Sequence, residues 1–281
     1  SMSPVAGAYE NAEGATANRP QAVLDQEVHE VQRRRWLMAG RVLLGVCLLA
    51  GWQMASGRLI DPVFVSSPLD VLNRLVSWIT TGTLFPHLAI TLWAMLAGFV
   101  VGALGGFAVG FLLGRFDSAA VICDPYITAI YCLPKIALAP LFIMWFGIGI
   151  SSKIAMSATI VFFLIFLNTF AGVRDVNPVH LHVVRIMGAG EWQLLRKVIL
   201  PSAAAWVFTG LKVSVPYALI GAVVGEFMSS NRGVGFLIAQ SSALFDSAGV
   251  FAGLLILALA GMIINGGLKS LETRVLRWRG N

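Results

Sequence analysis

The chain has 281 residues, 57% of them hydrophobic and only 12% charged, with a mean hydropathy of +0.80; this excludes an ordinary soluble domain and describes a protein that crosses a membrane several times. Its net charge of +6 is carried by cations that flank apolar runs and form no basic face interleaved with aromatics, which excludes nucleic acid as a partner. Cys47, Cys123 and Cys132 all lie inside apolar runs, at spacings that suit neither a disulfide framework nor a zinc site.

Residues 1–32 are polar and lack the apolar stretch of a secretory signal. They are read as a disordered cytoplasmic tail, leaving 33–281 as one transmembrane domain. Arg33, Arg34, Arg35 and Trp36 precede the first span, Leu37 to Ala55, and place the amino terminus inside. In Ile60 to Leu84, the spacing of Leu69, Leu72, Leu75, Val76 and Ile79 predicts a short amphipathic helix on the outer face. The second span, Pro86 to Gly114, carries glycines at 98, 102, 106, 110 and 114. That stripe permits close approach of another helix, from this chain or from a second copy.

The third span, Ala119 to Phe146, holds Pro125, Pro134, Lys135 and Pro140. Prolines remove backbone hydrogen bonds, so this helix is predicted to be broken where it faces protein or a watery cavity. A lysine at membrane depth is costly and belongs in the same interior. Ser151 to Lys153 turn the chain outside, and Ile154 to Ala171 returns it with Asn168 as its main polar residue. The interruption from Val173 to Pro201 then lies inside. Ala203 to Val224 crosses outward, carries Lys212 and Pro216, and ends at Glu226. Ser229 to Asp246 forms an outer lip, Val250 to Leu268 is the last span, and Lys269, Arg274, Arg277 and Arg279 close the chain inside. This topology puts 14 Lys and Arg inside, 4 outside (Arg58, Arg74, Lys153, Arg232) and 2 within spans. The bias supports six spans with both termini cytoplasmic.

The inner interruption reads as a docking element, because its cations mark it as cytoplasmic while its apolar residues do not suit a free loop. Asn177 and Pro178 make a helix start. The helix runs to Met187 with Val179, Val183, Ile186 and Met187 on an apolar side, and Gly188 allows the chain to stop and turn. A second short helix is predicted over Glu191 to Val198, ending before Pro201.

Gly188, nine residues, then Val198-Ile199-Leu200-Pro201 resembles the glycine, nine-residue gap, Ile-x-Leu-Pro signature of ATP-binding-cassette importer permeases. The Glu-Ala-Ala triplet of that loop falls on His182, Val183 and Val184 and is absent. Further segments look like the nitrate, sulfonate and taurine branch: His87 to Leu92 with Gly98, Pro134 to Phe142 with Trp145 to Gly149, and Ser230 to Phe236. The resemblance covers about Leu69 to Arg279. It implies an all-α type I importer fold with six transmembrane helices, pairing with a second copy, two cytoplasmic ATPase subunits on the loop and an external solute-binding protein, in the inner membrane of a bacterium. It assigns ATPase coupling to Arg185, Met187, Gly188, Ala189, Glu191, Leu195, Leu200 and Pro201.

No GxxxxGK[ST] phosphate loop occurs, so ATP and magnesium are expected on the partner subunit and no cofactor, metal or catalytic residue in this chain. Pro134, Lys135, Pro140, Asn168 and Glu226 are the candidates to line the translocation route, and the basic residue suits a small anion. Two readings of Lys135 stay open: it serves passage, or it is an internal counter-ion for Glu226. A secondary transporter or channel would also use broken helices and buried charges, and a membrane scaffold would explain the glycine stripe.

Overall fold

The computed structural model describes residues 19–59, 61–229 and 231–275, and the regular elements among them are all helices. The chain divides at Pro62 into two compact units. The first contains α1 (Arg19–Ala55), whose stretch Trp36–Ala55 is long and apolar enough to cross a membrane. Residues 19–32, expected to be disordered, belong to this helix. Pro20 sits in its first turn, where no amide is needed, and the Gln, Glu, Ala and Leu residues that follow are good helix formers. The rest of the predicted tail lies outside the described residues.

The short turn α2 (Pro62–Val65) falls at the division, and the second unit continues with α3 (Pro68–Thr80). The Ser67 hydroxyl accepts from the Asp70 amide and donates to the Asp70 carboxylate, a capping arrangement that fixes the start of α3. Leu69, Leu72, Val76 and Ile79, the predicted apolar face, are exposed, whereas Val71 and Trp78 pack inward. Arg74 of this helix pairs with Asp246 at 2.8 Å.

Next come α4 (Leu84–Arg115), α5 (Asp117–Cys132), a tight turn over Lys135–Leu138, α6 (Ala139–Phe146) and α7 (Ile150–Arg174). They are followed by α8 (Pro178–Ile186), α9 (Glu191–Leu194), α10 (Leu200–Ser229), α11 (Val234–Ala243) and α12 (Ser247–Val275). Among the described residues, five helical stretches are long and apolar enough to cross a membrane, and α5 with the 135–146 segment makes a sixth if the pair, bent by 81°, is one span. The predicted break in the third span is therefore present, at Leu133 and Pro134, while Pro125 is accommodated inside α5.

The glycine stripe packs within the chain. Gly98, Gly102, Gly106, Gly110 and Gly114 all face α7, and a Cβ at Gly102 or Gly106 would stand 2.4 Å from the Ala158 carbonyl oxygen or 2.5 Å from that of Phe162. Backbone meets backbone along this seam, which maximises dispersion contact where lipid offers no hydrophobic driving force. On its other side α7 meets α10 in the same manner, with Gly221 over Ser157 and Gly225 over Lys153. These three helices are the core of the unit.

Two positions in the second unit also differ from expectation. The helix that starts at Glu191 does not stop before Pro201; it widens over Leu195–Ile199, where the Leu200 amide reaches back to the Leu195 carbonyl, and continues as α10. Proline lacks an amide, and a widened turn at that point absorbs the missing bond. Lys153, expected on an outer turn, lies in the first turn of α7 and is 3% exposed.

Candidate functional site

Chemistry-bearing residues gather at three places. The first is the loop between α7 and α10. The Asn177 side chain accepts from the Val179 amide at 2.9 Å, capping α8. At the other end Gly188, with φ +81°, donates to Arg185 O and Ala189 donates to Val184 O. This paired closure satisfies two terminal carbonyls and needs a left-handed residue, hence glycine. The capped helix turns Leu181 toward the cluster of Val173, Val176, Ile199 and Ala203, which Leu195 also joins. Val179, Val183, Ile186 and Met187 point away from it, Ile186 being 86% exposed and Met187 80%.

Glu191 braces the loop, accepting from Arg185 at 3.0 Å and from Arg115, the last residue of α4, at 2.9 Å. Arg174 and Asp117 pair nearby at 3.2 Å. These ion pairs surround a polar cavity of about 390 Å³. Of the predicted coupling residues, Arg185, Met187, Gly188, Glu191 and Leu200 are exposed, and Ala189, Leu195 and Pro201 are half-buried. Trp192, which the sequence analysis left out, is 70% exposed beside them. Its position one residue after Glu191, in a segment otherwise read as helical, was the available signal.

The second place is the break in the third span. Leu133 leaves helical geometry and donates to Ile130 O, the carbonyl that Pro134 cannot serve. The next freed carbonyl, that of Tyr131, accepts instead from the Lys135 ammonium at 2.5 Å. That ammonium also lies 4.4 Å from the Tyr131 ring centroid and 5.0 Å from that of Phe163. Lys135 is thus a half-buried cation held by a carbonyl and two aromatic faces. Asn168 donates to Leu164 O within α7 and packs against Gly210.

The third place joins Glu226 to residues that no local spacing in the sequence links to it. Glu226 is 1% exposed near the end of α10. Its carboxylate accepts from Thr91 Oγ1 at 2.8 Å and from the Gly235 amide at 2.8 Å, and stands 3.7 Å from Lys153 Nζ. Lys153 also donates to Arg232 O at 2.7 Å. Thr91 accepts from the Val234 amide at 2.8 Å, and His87 Nδ1 accepts from the Gly233 amide at 2.9 Å while its ring stacks on Phe236. A Cβ at Gly233 would fall 2.1 Å from the carboxyl carbon, so only glycine allows the backbone to cover Glu226 this closely. Lys135, Asn168 and Glu226 therefore have separate partners: the counter-ion of Glu226 is Lys153, not Lys135, because α7 rather than the broken span lies against it.

Among the described residues, up to six helical segments are long and apolar enough to cross a membrane, one of them broken, and the second unit carries an exposed apolar loop at one end of its helices; these are the features of an integral-membrane transport subunit. Residues 102–277 match the family described as binding-protein-dependent transport system inner membrane component, and the chain belongs to that family. It is the transmembrane permease subunit of an ATP-driven ABC importer, a transport component whose ATP hydrolysis falls to a separate subunit. The chain is 32% identical over 250 residues to the aliphatic sulfonates transport permease protein SsuC of Bacillus subtilis, covering 89% of this chain and 91% of that one. It is 32% identical over 237 residues to the formylaminopyrimidine transport permease protein ThiX of Halalkalibacterium halodurans, covering 84% and 94%. A crystal structure of an amino acid ABC transporter with histidines shares the fold, with a TM-score of 0.54, 18% identity and coverage of 72% of this chain and 97% of that one.

Proposed function

We propose that two copies of this chain form the route for a small organic anion of the sulfonate, taurine or nitrate kind, delivered by an external binding protein and driven by two ATPase subunits docked on the 173–201 loop. The observation that carries the docking is the capped helix α8 with Ile186 and Met187 almost fully exposed, since apolar area on a polar loop usually marks a contact. Positive-inside bias supports a loop in the cytoplasm, both termini inside and a place in the inner membrane of a bacterium. In this reading Arg185, Met187, Gly188, Ala189 and Glu191 meet the ATPase, with Leu195, Leu200 and Pro201 forming the base that holds them.

In this reading Pro134, Lys135, Pro140 and Asn168 line the route; Glu226, also a candidate from the sequence, is 1% exposed with its carboxylate held by Thr91, Gly235 and Lys153, and is left out of the lining for that reason. The half-buried ammonium of Lys135 favours an anion, and the likeness to SsuC along most of the chain favours a sulfonate. The test is uptake by vesicles containing this chain with its ATPase, supplied with the binding protein encoded beside it. ATP-dependent uptake of taurine or an alkanesulfonate is expected; uptake of a formylaminopyrimidine instead would overturn the anion. Gly188→Trp, which places a bulky side chain at a left-handed turn, is expected to abolish ATPase co-purification, and unchanged co-purification and transport would refute the docking.

A further inference from the structure

The Glu226 cluster ties together four parts of the chain that are far apart in sequence. It joins the start of α4 (His87, Thr91), the start of α7 (Lys153), the end of α10 (Glu226) and the segment Arg232 to Phe236 leading into α11. None of its side-chain oxygens or nitrogens is among the buried atoms left without a partner in the described residues, and Thr91, Lys153 and Glu226 are each at most 3% exposed. The opposite ends of the same helices are held differently. There Arg115 of α4 and Arg174 of α7 pair with carboxylates that are 63% and 89% exposed. Exposed pairs exchange readily with water, whereas opening the buried cluster would strand several polar groups without partners.

Between the two ends α4 and α7 touch backbone to backbone along the glycine stripe. Motion imposed at the docking loop therefore passes along them as one body.

We infer that Glu226 is a positioning residue for transport: with Lys153, Thr91 and His87 it closes the loop-distal ends of α4, α7 and α10 and the Arg232–Phe236 segment into one vertex that stays shut through the cycle while the docking end moves. The vertex turns displacement of the loop into rotation of the helices. Without it the loop can move while the distal ends slip against each other, and ATP is hydrolysed with less solute carried. This inference rests on the proposed docking of an ATPase at the 173–201 loop.

The experiment compares wild type, Glu226→Gln, Thr91→Ser and Thr91→Val in vesicles containing the full transporter with its ATPase and binding protein. Glu226→Gln and Thr91→Val are expected to keep ATPase co-purification and hydrolysis but to lower solute carried per ATP by about tenfold, within the usual range of coupling between sites. Thr91→Ser keeps the hydroxyl and the wild-type ratio. An unchanged ratio in Thr91→Val, or hydrolysis and transport falling only in proportion to assembly, overturns the inference. Should Glu226→Gln fail to assemble, the Thr91 pair decides alone. Spin labels at the exposed Phe85 and Met228, in an otherwise wild-type vertex, give a second measure: the distance between them is expected to stay constant on ATP binding, and a change overturns the proposal. Failure of the docking reading looks different, since the ATPase would then not co-purify with wild type at all.

Discussion

The two ends of the bundle are held by opposite means. At the loop end, Glu191 joins Arg115 and Arg185 in the open, beside exposed Ile186, Met187 and Trp192. At the far end, Glu226 joins Thr91, Lys153 and Gly235 out of contact with solvent, under two glycines that admit no side chain. The difference separates a surface made to meet another molecule from a joint made to stay closed. An exposed pair contributes about 0–1 kcal/mol and reforms with new partners. A buried pair is costly to assemble and more costly to leave half made.

The sharpest way to break the comparison is to remove one carboxylate from each end. Glu226→Ala leaves Lys153 buried without its counter-charge and is expected to cost about 3–5 kcal/mol, seen as a large fall in thermal unfolding temperature of the purified protein. Equal falls for Glu226→Ala and Glu191→Ala would show that the ends do not differ. The connection between them is tested next. Gly106→Ala puts a methyl 2.5 Å from the Phe162 carbonyl oxygen and 3.0 Å from the Phe166 amide, so α4 and α7 must part, at about 1–3 kcal/mol. A Gly105→Ala control, whose methyl would meet only the Phe162 ring at 3.3 Å, is expected to cost less in the same melt. The smallest effect belongs to Glu191→Gln, which loses two exposed ion pairs. Its melting temperature should stay within the range of about 1 kcal/mol at moderate salt, and a larger fall would mean that the brace is structural.

Much of the loop end was legible in the sequence because its signals are local. Asn177 before Pro178 and Gly188 after Met187 each act on a backbone within a few residues, and both do what their chemistry requires. The break at Pro134 is local in the same sense, since a missing amide is felt one turn away. Where a local rule failed, at Pro201, a neighbouring turn could widen and keep the helix going.

Composition, charge pattern and the prolines of the third span by themselves pointed to six membrane segments, one of them broken, and the end of the loop motif with the segments around His87, Pro134 and Ser230 pointed to its family, because insertion, helix breaking and capping depend on residues near one another in sequence. Only the tertiary structure decided that the glycine stripe seats α7, that Lys135 serves a freed carbonyl and that Glu226 belongs with Lys153 and Thr91. Those partners stand up to 135 residues apart. A buried charge is specified by whichever helix folds against it, and no periodicity along the chain records that choice.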